Sequence, residues 1–314
     1  MLRSDELGAW HASGRQPLDR RAVLWRNDGS SLVLDSDMTN KLSLALIGYG
    51  EVGQIFAREF LAGDGAAVAT YDILFDDPAE GPARIEGARR AGVRPAKNAA
   101  DAAGGAEIII SAVTAASAAT VAGEAVAYLR PGQIFFDINS ASPGTKKRAA
   151  EQVNASGAFY VEGAVMAPVP GPNLKVPILA GGPAAEEAAK VLNGLGMNIA
   201  PVTREPGRAS AMKLCRSIMI KGIEALIIDC AAAARLWDVE SEVYASLGAS
   251  FPSIDFRELA VTMAGRVRQH GIRRAAEMRE AAMMLDDLGL DGSLSRAVAN
   301  AQQRGAAAKQ DKKS

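Results

Sequence analysis

The sequence predicts an α/β protein, in which a doubly wound Rossmann-type parallel sheet is followed by an all-α C-terminal domain. Three observations carry this prediction. Apolar strand-like runs alternate with helical patterns over residues 38–204, and Gly48-x-Gly50-x-x-Gly53 stands between the first strand and the first helix of that series. Beyond residue 205 the strand patterns stop, and residues 209–236 contain no proline and a single glycine, Gly222, which predicts a long helix.

The Rossmann-type domain is predicted to span residues 38–204. Its first strand, 43–47, runs into the glycine motif and then into a helix at 54–61. The further predicted strands are 66–71, 107–113, 133–138, 159–165, 176–180 and 198–203. The further predicted helices are 82–91, 117–129, one that opens at Pro143 with Ser142 as its cap, and 184–195.

The C-terminal domain, residues 205–305, is predicted to be wholly helical. Its helices are expected at 209–236, 240–247, 254–270, 272–285 and 293–304. Residues 1–37 mix arginines with acids and lack the apolar core of a signal peptide, so we expect a loosely ordered N-terminal extension. The charged residues 306–314 are expected to form a flexible tail.

Composition excludes several classes of function. The chain has 314 residues, a net charge of −1 and 48% hydrophobic residues, so it offers no basic surface for nucleic acid and no membrane-spanning run. Two histidines and two cysteines make no metal-ligand cluster, so no metal site is expected. Cys215 and Cys230 lie on one predicted helix roughly 22 Å apart, too far to pair, which favours a cytoplasmic protein.

The glycine motif predicts a dinucleotide site at the start of the first helix. Gly48 permits the tight turn, Gly50 lets the backbone approach a pyrophosphate, and Gly53 lets the helix pack closely on the strand. The residues predicted to bind the cofactor are Gly48, Tyr49, Gly50, Glu51, Val52 and Gly53, with Asp72 on the ribose and Val113 and Thr114 on the nicotinamide side.

Asp72 decides which cofactor the sequence favours. It lies 24 residues after Gly48, at the end of the second strand, where a carboxylate accepts hydrogen bonds from a ribose diol and repels a 2′-phosphate. The next residues, 73–75, contain no arginine that would neutralise such a phosphate. NAD is therefore favoured, with NADP as the alternative.

Lys213 is the candidate general acid/base. Ligands of an open parallel sheet bind beyond the carboxyl ends of the strands, and the long helix that follows the sheet carries Lys213 in its second turn. A desolvated amine near the positive end of a helix gives up its proton more readily than a solvated one. From spacing alone, a surface lysine on an alanine-rich helix is an equally good interpretation.

These segments resemble the β-hydroxyacid dehydrogenases, which include 3-hydroxyisobutyrate and 6-phosphogluconate dehydrogenases. The resemblance covers about residues 42–300. Besides the glycine motif, it rests on residues 137–143 (Asp-Ile-Asn-Ser-Ala-Ser-Pro), on residues 162–182, and on Gly207 through Lys213. It implies that Lys213 is the general acid/base and that Asn139 and Ser140 contact the substrate.

Departures from the family pattern concern the substrate. Where the family has Ser-Gly-Gly to hold a substrate carboxylate, this chain has Met166, Ala167 and Pro168, and proline removes one N–H donor. Where the family has an asparagine four residues after the lysine, this chain has Ser217, whose hydroxyl has a shorter reach. The resemblance therefore implies a different substrate from the usual one.

The closer resemblance is to a less characterised branch with a phosphogluconate-dehydrogenase-like C-terminal domain, and it extends to residues 270–278. The side chains at i−4, i, i+3, i+4 and i+7 form one polar face there: Arg266, His270, Arg273, Arg274 and Glu277. One interpretation places His270 and an arginine in the substrate cleft. The other is a solvated face with Arg273–Glu277 pairing, or a dimer contact.

The expected activity is hydride transfer between NAD(P) and a small polar or acidic hydroxy compound. Lys213 takes the hydroxyl proton, Ser140 and Ser217 position the hydroxyl, and Val165, Met166 and His270 contact the rest of the molecule. The alternatives are a carbonyl or imine reductase of the same fold and a non-catalytic cofactor sensor. A homodimer is expected because the C-terminal domain carries more apolar side chains than a small helical domain can bury alone. These side chains are Ile218, Met219, Ile223, Leu226, Ile227, Met263, Met283 and Met284.

Overall fold

The structure is a computed structural model that describes residues 23–25, 31–33, 41–63 and 65–307. The chain divides into two compact units, which we call the sheet unit, residues 20–213, and the helical unit, residues 214–314. The division falls inside the long helix, whereas the boundary expected from the sequence, 204/205, lies just before that helix.

Two short strands belong to the region expected to be an N-terminal extension. β1 (Val23–Trp25) and β2 (Ser31–Val33) pair antiparallel as a separate two-stranded sheet. The rest of residues 1–37, and residues 308–314 of the expected tail, lie outside the described residues.

An eight-stranded sheet forms the centre of the sheet unit, in the order β10-β9-β8-β7-β6-β3-β4-β5. Its strands are β3 (Leu42–Ile47), β4 (Ala66–Tyr71), β5 (Arg94–Pro95), β6 (Ile108–Ser111), β7 (Ile134–Asp137), β8 (Phe159–Val165), β9 (Pro177–Gly181) and β10 (Asn198–Thr203). All neighbouring pairs are parallel except β8 and β9. The predicted doubly wound sheet is confirmed, and the antiparallel junction allows β9 and β10 to extend one edge.

Helices cover both faces of this sheet. They are α1 (Glu51–Ala62), α2 (Gly81–Arg90), α3 (Ala99–Ala103), α4 (Ala118–Ala125), α5 (Pro143–Ala155) and α6 (Ala185–Gly194). The central strands β6 and β7 are buried along their whole length, and hydrophobic clusters lie on both faces of the sheet. This double burial explains why their sequences read as continuous apolar runs rather than as alternating patterns. Ser142 caps α5 by accepting a hydrogen bond from the Thr145 N–H at 3.3 Å, as the sequence predicts.

The helical unit contains most of α7 (Arg208–Leu236), together with α8 (Glu240–Ser250), α9 (Phe256–Asp287) and α10 (Ser293–Ala307). The expectation of two helices at 254–270 and 272–285 is wrong, because α9 continues through Gly271. A Cβ atom at Gly271 would lie 2.3 Å from the carbonyl oxygen of Gln302, so this glycine allows close packing of α10 rather than ending the helix. Among the described helices, none combines the length and the apolar character that a membrane span requires.

Candidate functional site

The glycine motif adopts a turn whose geometry excludes side chains at two of its three glycines. Gly48 has φ +99°, and a Cβ atom there would lie 2.4 Å from the carbonyl oxygen of Ala112. A Cβ atom at Gly53 would lie 2.3 Å from the carbonyl oxygen of Gly48. Both glycines are therefore required by close backbone approach, and the turn at Gly48 lies against the segment that leads to Val113.

Gly50 differs, because a Cβ atom there would meet nothing within 4 Å. It precedes α1, whose first turn receives no hydrogen bond from a capping side chain. The N–H groups at this helix start point along the helix axis, where an anion is favoured. The open space over Gly50 and the uncapped helix start fit a pyrophosphate. Glu51 and Val52 begin α1 at this point.

Asp72 is held rigidly at the end of β4. Its Oδ2 accepts the Tyr49 N–H at 2.6 Å, and its Oδ1 accepts the Leu74 N–H at 2.9 Å. A carboxylate oxygen has two lone pairs, so each oxygen keeps one for a ribose hydroxyl. The N–H of Tyr49, a predicted cofactor residue, is thus committed to Asp72, and its contribution to the site is to orient that carboxylate.

A cavity of about 270 Å³ adjoins Asp72, and its wall includes Arg58 and Arg84. Arg84 donates to Glu80 Oε2 at 2.6 Å, and Arg58 lies 3.5 Å from Glu59 Oε1. Each arginine therefore has an acidic partner, which lowers the net positive charge of this wall.

Asp137, at the carboxyl end of β7, organises the segment predicted to contact the substrate. Its Oδ1 accepts the backbone N–H of Asn139 at 3.0 Å and the side-chain amide of Asn139 at 2.7 Å. The same amide donates to Ser111 Oγ at 2.9 Å, at the end of the neighbouring strand β6. The turn that leads to Ser140 is thereby tied to two strands.

Two further side chains complete the surroundings of Asp137. Lys146 Nζ lies 2.9 Å from Asp137 Oδ2 and donates to the Asp137 carbonyl at 3.1 Å. The Tyr160 hydroxyl donates to Asp137 Oδ2 at 2.7 Å. Burial, and then the Asp137 charge, raise the pKa of Tyr160 well above its ordinary value, so the phenol remains a donor.

Glu162, on β8, holds the beginning of α7. This fully buried carboxylate accepts the N–H of Ala209 at 3.0 Å, the N–H of Ser210 at 3.2 Å and the Ser210 hydroxyl at 2.5 Å. A negative charge at a helix N-terminus is favourable, and here it also satisfies N–H groups that have no partner inside the helix. The helix carrying Lys213 is therefore anchored to the sheet.

Lys213 and Ser140 meet at the carboxyl ends of the strands. Lys213 Nζ donates to Ser140 Oγ at 3.3 Å, and both residues are half-buried. Within the sheet unit the structure thus joins the predicted general acid/base to the predicted substrate segment. This contact was not predictable from spacing, because 73 residues separate the two side chains.

The loop after β8 has few free donors for a carboxylate. The Met166 N–H donates to the carbonyl of Pro177 at 2.9 Å, and Pro168 has no N–H. Val165 is the last residue of β8, and both Val165 and Met166 are half-buried.

Ser217 belongs to a polar cluster inside the helical unit. Its hydroxyl donates to Glu277 Oε1 at 2.6 Å and accepts from Lys221 Nζ at 3.0 Å, while Lys221 Nζ lies 3.0 Å from Glu277 Oε2. Burial is the main cause that lowers the pKa of Lys221, against the raising effect of Glu277. His270, predicted to contact substrate, is half-buried on α9.

The polar face expected on α9 is partly buried inside the helical unit and partly exposed to solvent. Arg274 pairs with the fully buried Glu224, which also accepts from Gln302 at 3.2 Å, whereas Arg266 and Arg273 are exposed. Part of this face is therefore an internal network that joins α7, α9 and α10.

Sequence reasoning missed three structural charges, Lys146, Glu162 and Lys221. Lys146 reads as one half of a surface Lys-Lys pair, and Glu162 begins the segment 162–182, in which the sequence predicts no role for it. A charge inside an otherwise apolar strand is the one signal that pointed to Glu162.

Comparisons with known proteins agree with this architecture. The family model described as the NAD binding domain of 6-phosphogluconate dehydrogenase matches residues 43–203, and one described as a domain of unknown function, DUF1932, matches residues 234–305. A conserved hypothetical protein from Sinorhizobium meliloti 1021 is 38% identical, with 87% of this chain and 91% of that chain covered and a TM-score of 0.76.

Two further solved structures extend the comparison. One is the conserved protein MTH1747, of unknown function, whose structure was described as similar to 3-hydroxyacid dehydrogenases. It is 32% identical, with 86% of this chain and 98% of that chain covered and a TM-score of 0.69. The 3-hydroxyisobutyrate dehydrogenase of Mycobacterium tuberculosis, solved with L-serine, is 17% identical over 85% of this chain and 94% of that chain, with a TM-score of 0.68, and shows the shared fold. The chain therefore belongs to the β-hydroxyacid dehydrogenase superfamily of nicotinamide-dependent oxidoreductases.

Proposed function

We propose that this protein transfers a hydride between NAD and a small polar or acidic hydroxy compound, with Lys213 as the general acid/base. The observation that carries the proposal is the 3.3 Å contact between Lys213 Nζ and Ser140 Oγ, at the same edge of the sheet as the glycine turn. Strands β7, β6 and β3 are neighbours in the sheet, and Asn139, Ser111 and Gly48 lie at or just after their carboxyl ends, where ligands of parallel sheets bind.

The bound nicotinamide supplies the hydride acceptor in the oxidation and the hydride donor in the reverse reaction. Lys213 accepts the proton of the substrate hydroxyl through its neutral amine, and returns that proton to the carbonyl oxygen in the reverse direction. Ser140 Oγ, already within hydrogen-bonding distance of Lys213, orients the reacting oxygen toward the amine. Glu162 fixes the start of α7, so Lys213 is presented from an anchored helix.

NAD is the proposed cofactor rather than NADP. The Asp72 carboxylate, held by two backbone N–H groups, would repel a 2′-phosphate, and Arg58 and Arg84 in the adjoining cavity have acidic partners. The Met166 N–H already donates to a backbone carbonyl and Pro168 has no N–H, so the loop after β8 offers few donors for a substrate carboxylate. We expect any acidic group of the substrate to bind elsewhere.

That Ser217 and His270 contact the substrate stays a prediction, and the helical unit is proposed to form a homodimer. Within the expected apolar set, Ile227, Met263 and Met284 are buried inside the unit, whereas Met219 and Leu226 are 63% and 72% exposed. An exposed apolar row on α7 favours an interface with a second copy.

The decisive experiment is a panel of small alcohols with polar or acidic neighbours, and of the matching carbonyl compounds and imines, followed by the absorbance of the reduced cofactor. Lys213→Ala is expected to lower turnover of any active compound by about 100-fold or more, while NADH still binds. Near-parental turnover in Lys213→Ala would reject the mechanism. Cofactor binding with no turnover of any compound would favour a cofactor sensor instead.

A further inference from the structure

Lys146 carries a charge in the interior of the sheet unit. The residue is 0% exposed, and its ammonium group contacts both the carboxylate and the carbonyl of Asp137. It lies in the first turns of α5, where most of its buried neighbours along the helix are alanine or valine. An ammonium group in such surroundings is tolerated only with a partner of opposite charge.

Stability alone does not account for this pair. Replacing a buried ion pair by apolar residues of similar size is often neutral or stabilising, because desolvation of the two charges offsets their attraction. The geometry around Asp137 offers another reason for the charge, because Asp137 Oδ1 holds the turn that follows β7 while Lys146 holds Oδ2.

A continuous series of contacts leads from Lys146 to Lys213. Lys146 and Tyr160 hold Asp137 Oδ2, which leaves Oδ1 to accept both the N–H and the amide of Asn139. Asn139 is followed directly by Ser140, whose Oγ accepts the hydrogen bond of Lys213. Rotation of the Asp137 carboxylate would release Asn139 and thereby move Ser140.

We propose that Lys146 is a positioning residue for proton transfer at Lys213, acting through Asp137 and the Asn139–Ser140 turn. This inference rests on the proposed function for its kinetic consequence, although its structural part does not. Lys146 does not touch the reacting atoms. Its role is to hold the Asp137 carboxylate in one orientation, in which Oδ1 accepts both hydrogen bonds from Asn139.

The test compares Lys146→Met with Val153→Ala. Val153 is also fully buried on α5, and its truncation leaves a cavity without touching the charges. Two quantities are measured for the full-length protein: the pH titration of Lys213 by NMR of side-chain-labelled lysine, assigned by its loss in Lys213→Arg, and kcat and KM with an active compound of the panel.

In Lys146→Met we expect the Lys213 titration midpoint to move by about half a pH unit or more, and kcat to fall about tenfold or more with the NAD affinity retained. Val153→Ala is expected to lower the thermal midpoint of unfolding while keeping the parental titration and kcat. Parental Lys213 titration and kcat in Lys146→Met, or equal changes in both variants, would overturn the proposal.

Tyr160→Phe keeps the test decisive where Lys146→Met fails to fold. It removes one hydrogen bond to Asp137 Oδ2 and retains the ring stacked on Phe135. The expected result is a smaller change of the Lys213 titration in the same direction, and no change would reject the proposal. If no panel compound is turned over, the proposed function fails, yet the NMR titration still decides whether Lys146 acts on Lys213.

Discussion

Asp137 on β7 and Glu162 on β8 are direct neighbours across two parallel strands, and each buried carboxylate fixes one half of the candidate site. Asp137 holds the turn that carries Ser140, and Glu162 holds the beginning of the helix that carries Lys213. Two adjacent buried carboxylates would repel each other, but Lys146 compensates one and the N-terminus of α7 compensates the other. The contact between Lys213 and Ser140 follows from this arrangement.

Glu162→Gln is expected to destabilise the protein by about 1–2 kcal/mol and to lower turnover. Glutamine keeps the size of the side chain. Its amide nitrogen is a donor, however, and cannot accept the hydrogen bonds that N–H and O–H groups now donate to Glu162. Chemical denaturation and steady-state kinetics measure the two effects. The matched control is Glu205→Gln, an acid near the same helix whose side chain is 73% exposed, with an expected change within about 0.5 kcal/mol. Equal losses in both variants would contradict the anchoring role of Glu162.

Gly50→Ala and Gly53→Ala are expected to separate cofactor binding from folding. The Cβ atom at Gly50 enters open space at φ −73°, so folding stability should change by less than about 0.5 kcal/mol while the Kd for NADH rises about tenfold or more. The Cβ atom at Gly53 meets the Gly48 carbonyl, so that variant should lose about 1–3 kcal/mol of stability. Thermal unfolding and NADH fluorescence titration measure the contrast. If Gly50→Ala bound NADH as tightly as the parent, the pyrophosphate would not bind at this turn.

Ile73→Arg is expected to raise the affinity for NADPH about tenfold and to leave folding unchanged. Ile73 directly follows Asp72 and is 77% exposed, so an arginine there is free to pair with a 2′-phosphate. The parent should bind NADH more tightly than NADPH, because of the Asp72 charge. Kd values for both cofactors, measured by calorimetry, give the result, and a parent that prefers NADPH would refute the proposed choice of NAD.

Lys221 is expected to make the stability of the parent rise with pH on the alkaline side of neutrality. Burial lowers the pKa of Lys221 below the ordinary value of 10.5. Between the folded pKa and 10.5 the unfolded chain binds this proton more strongly than the folded chain does, so the free energy of unfolding increases with pH in that window.

Lys221→Met should lack this increase, which urea denaturation at neutral pH and near the upper end of the window would measure. Lys190→Met, which removes an exposed lysine of α6, serves as the control and should keep the pH dependence of the parent. If Lys221→Met kept the same increase, the rise would have to come from other groups.

Met219 and Leu226 are expected to lie in a homodimer interface. They occupy positions i and i+7 of α7, with Ile223 between them at i+4, so all three share one face. Replacing Met219 and Leu226 together by glutamate should shift the protein from dimer to monomer in sedimentation velocity, because a desolvated charge opposes association. Leu294→Glu, at a leucine on α10 that is 69% exposed, is the control and should stay dimeric. A monomeric parent would rule out this interface.

Much of the architecture was predictable because its signals are local. A strand, a glycine turn and a helix in immediate succession, followed by Asp72 at the end of the next strand, depend on neighbours along the chain, and the structure has them at those places. Prediction was wrong where a local signal was overridden by packing. Gly271 reads as a break between two helices, yet the approach of α10 makes it an interior position of one helix.

The sequence by itself predicted the order of most strands and helices, the dinucleotide turn, and Lys213 as the candidate general acid/base. Only the tertiary structure decided which buried charges hold the Ser140 turn and the start of the helix that carries Lys213. The roles of Asp137, Lys146 and Glu162 depend on contacts between strands and helices that are distant along the chain. Hydrophobic periodicity carries no information about the partners of a buried charge. The physical reason is that a charge is stable in the interior only when the fold brings it a partner, and the fold as a whole selects that partner.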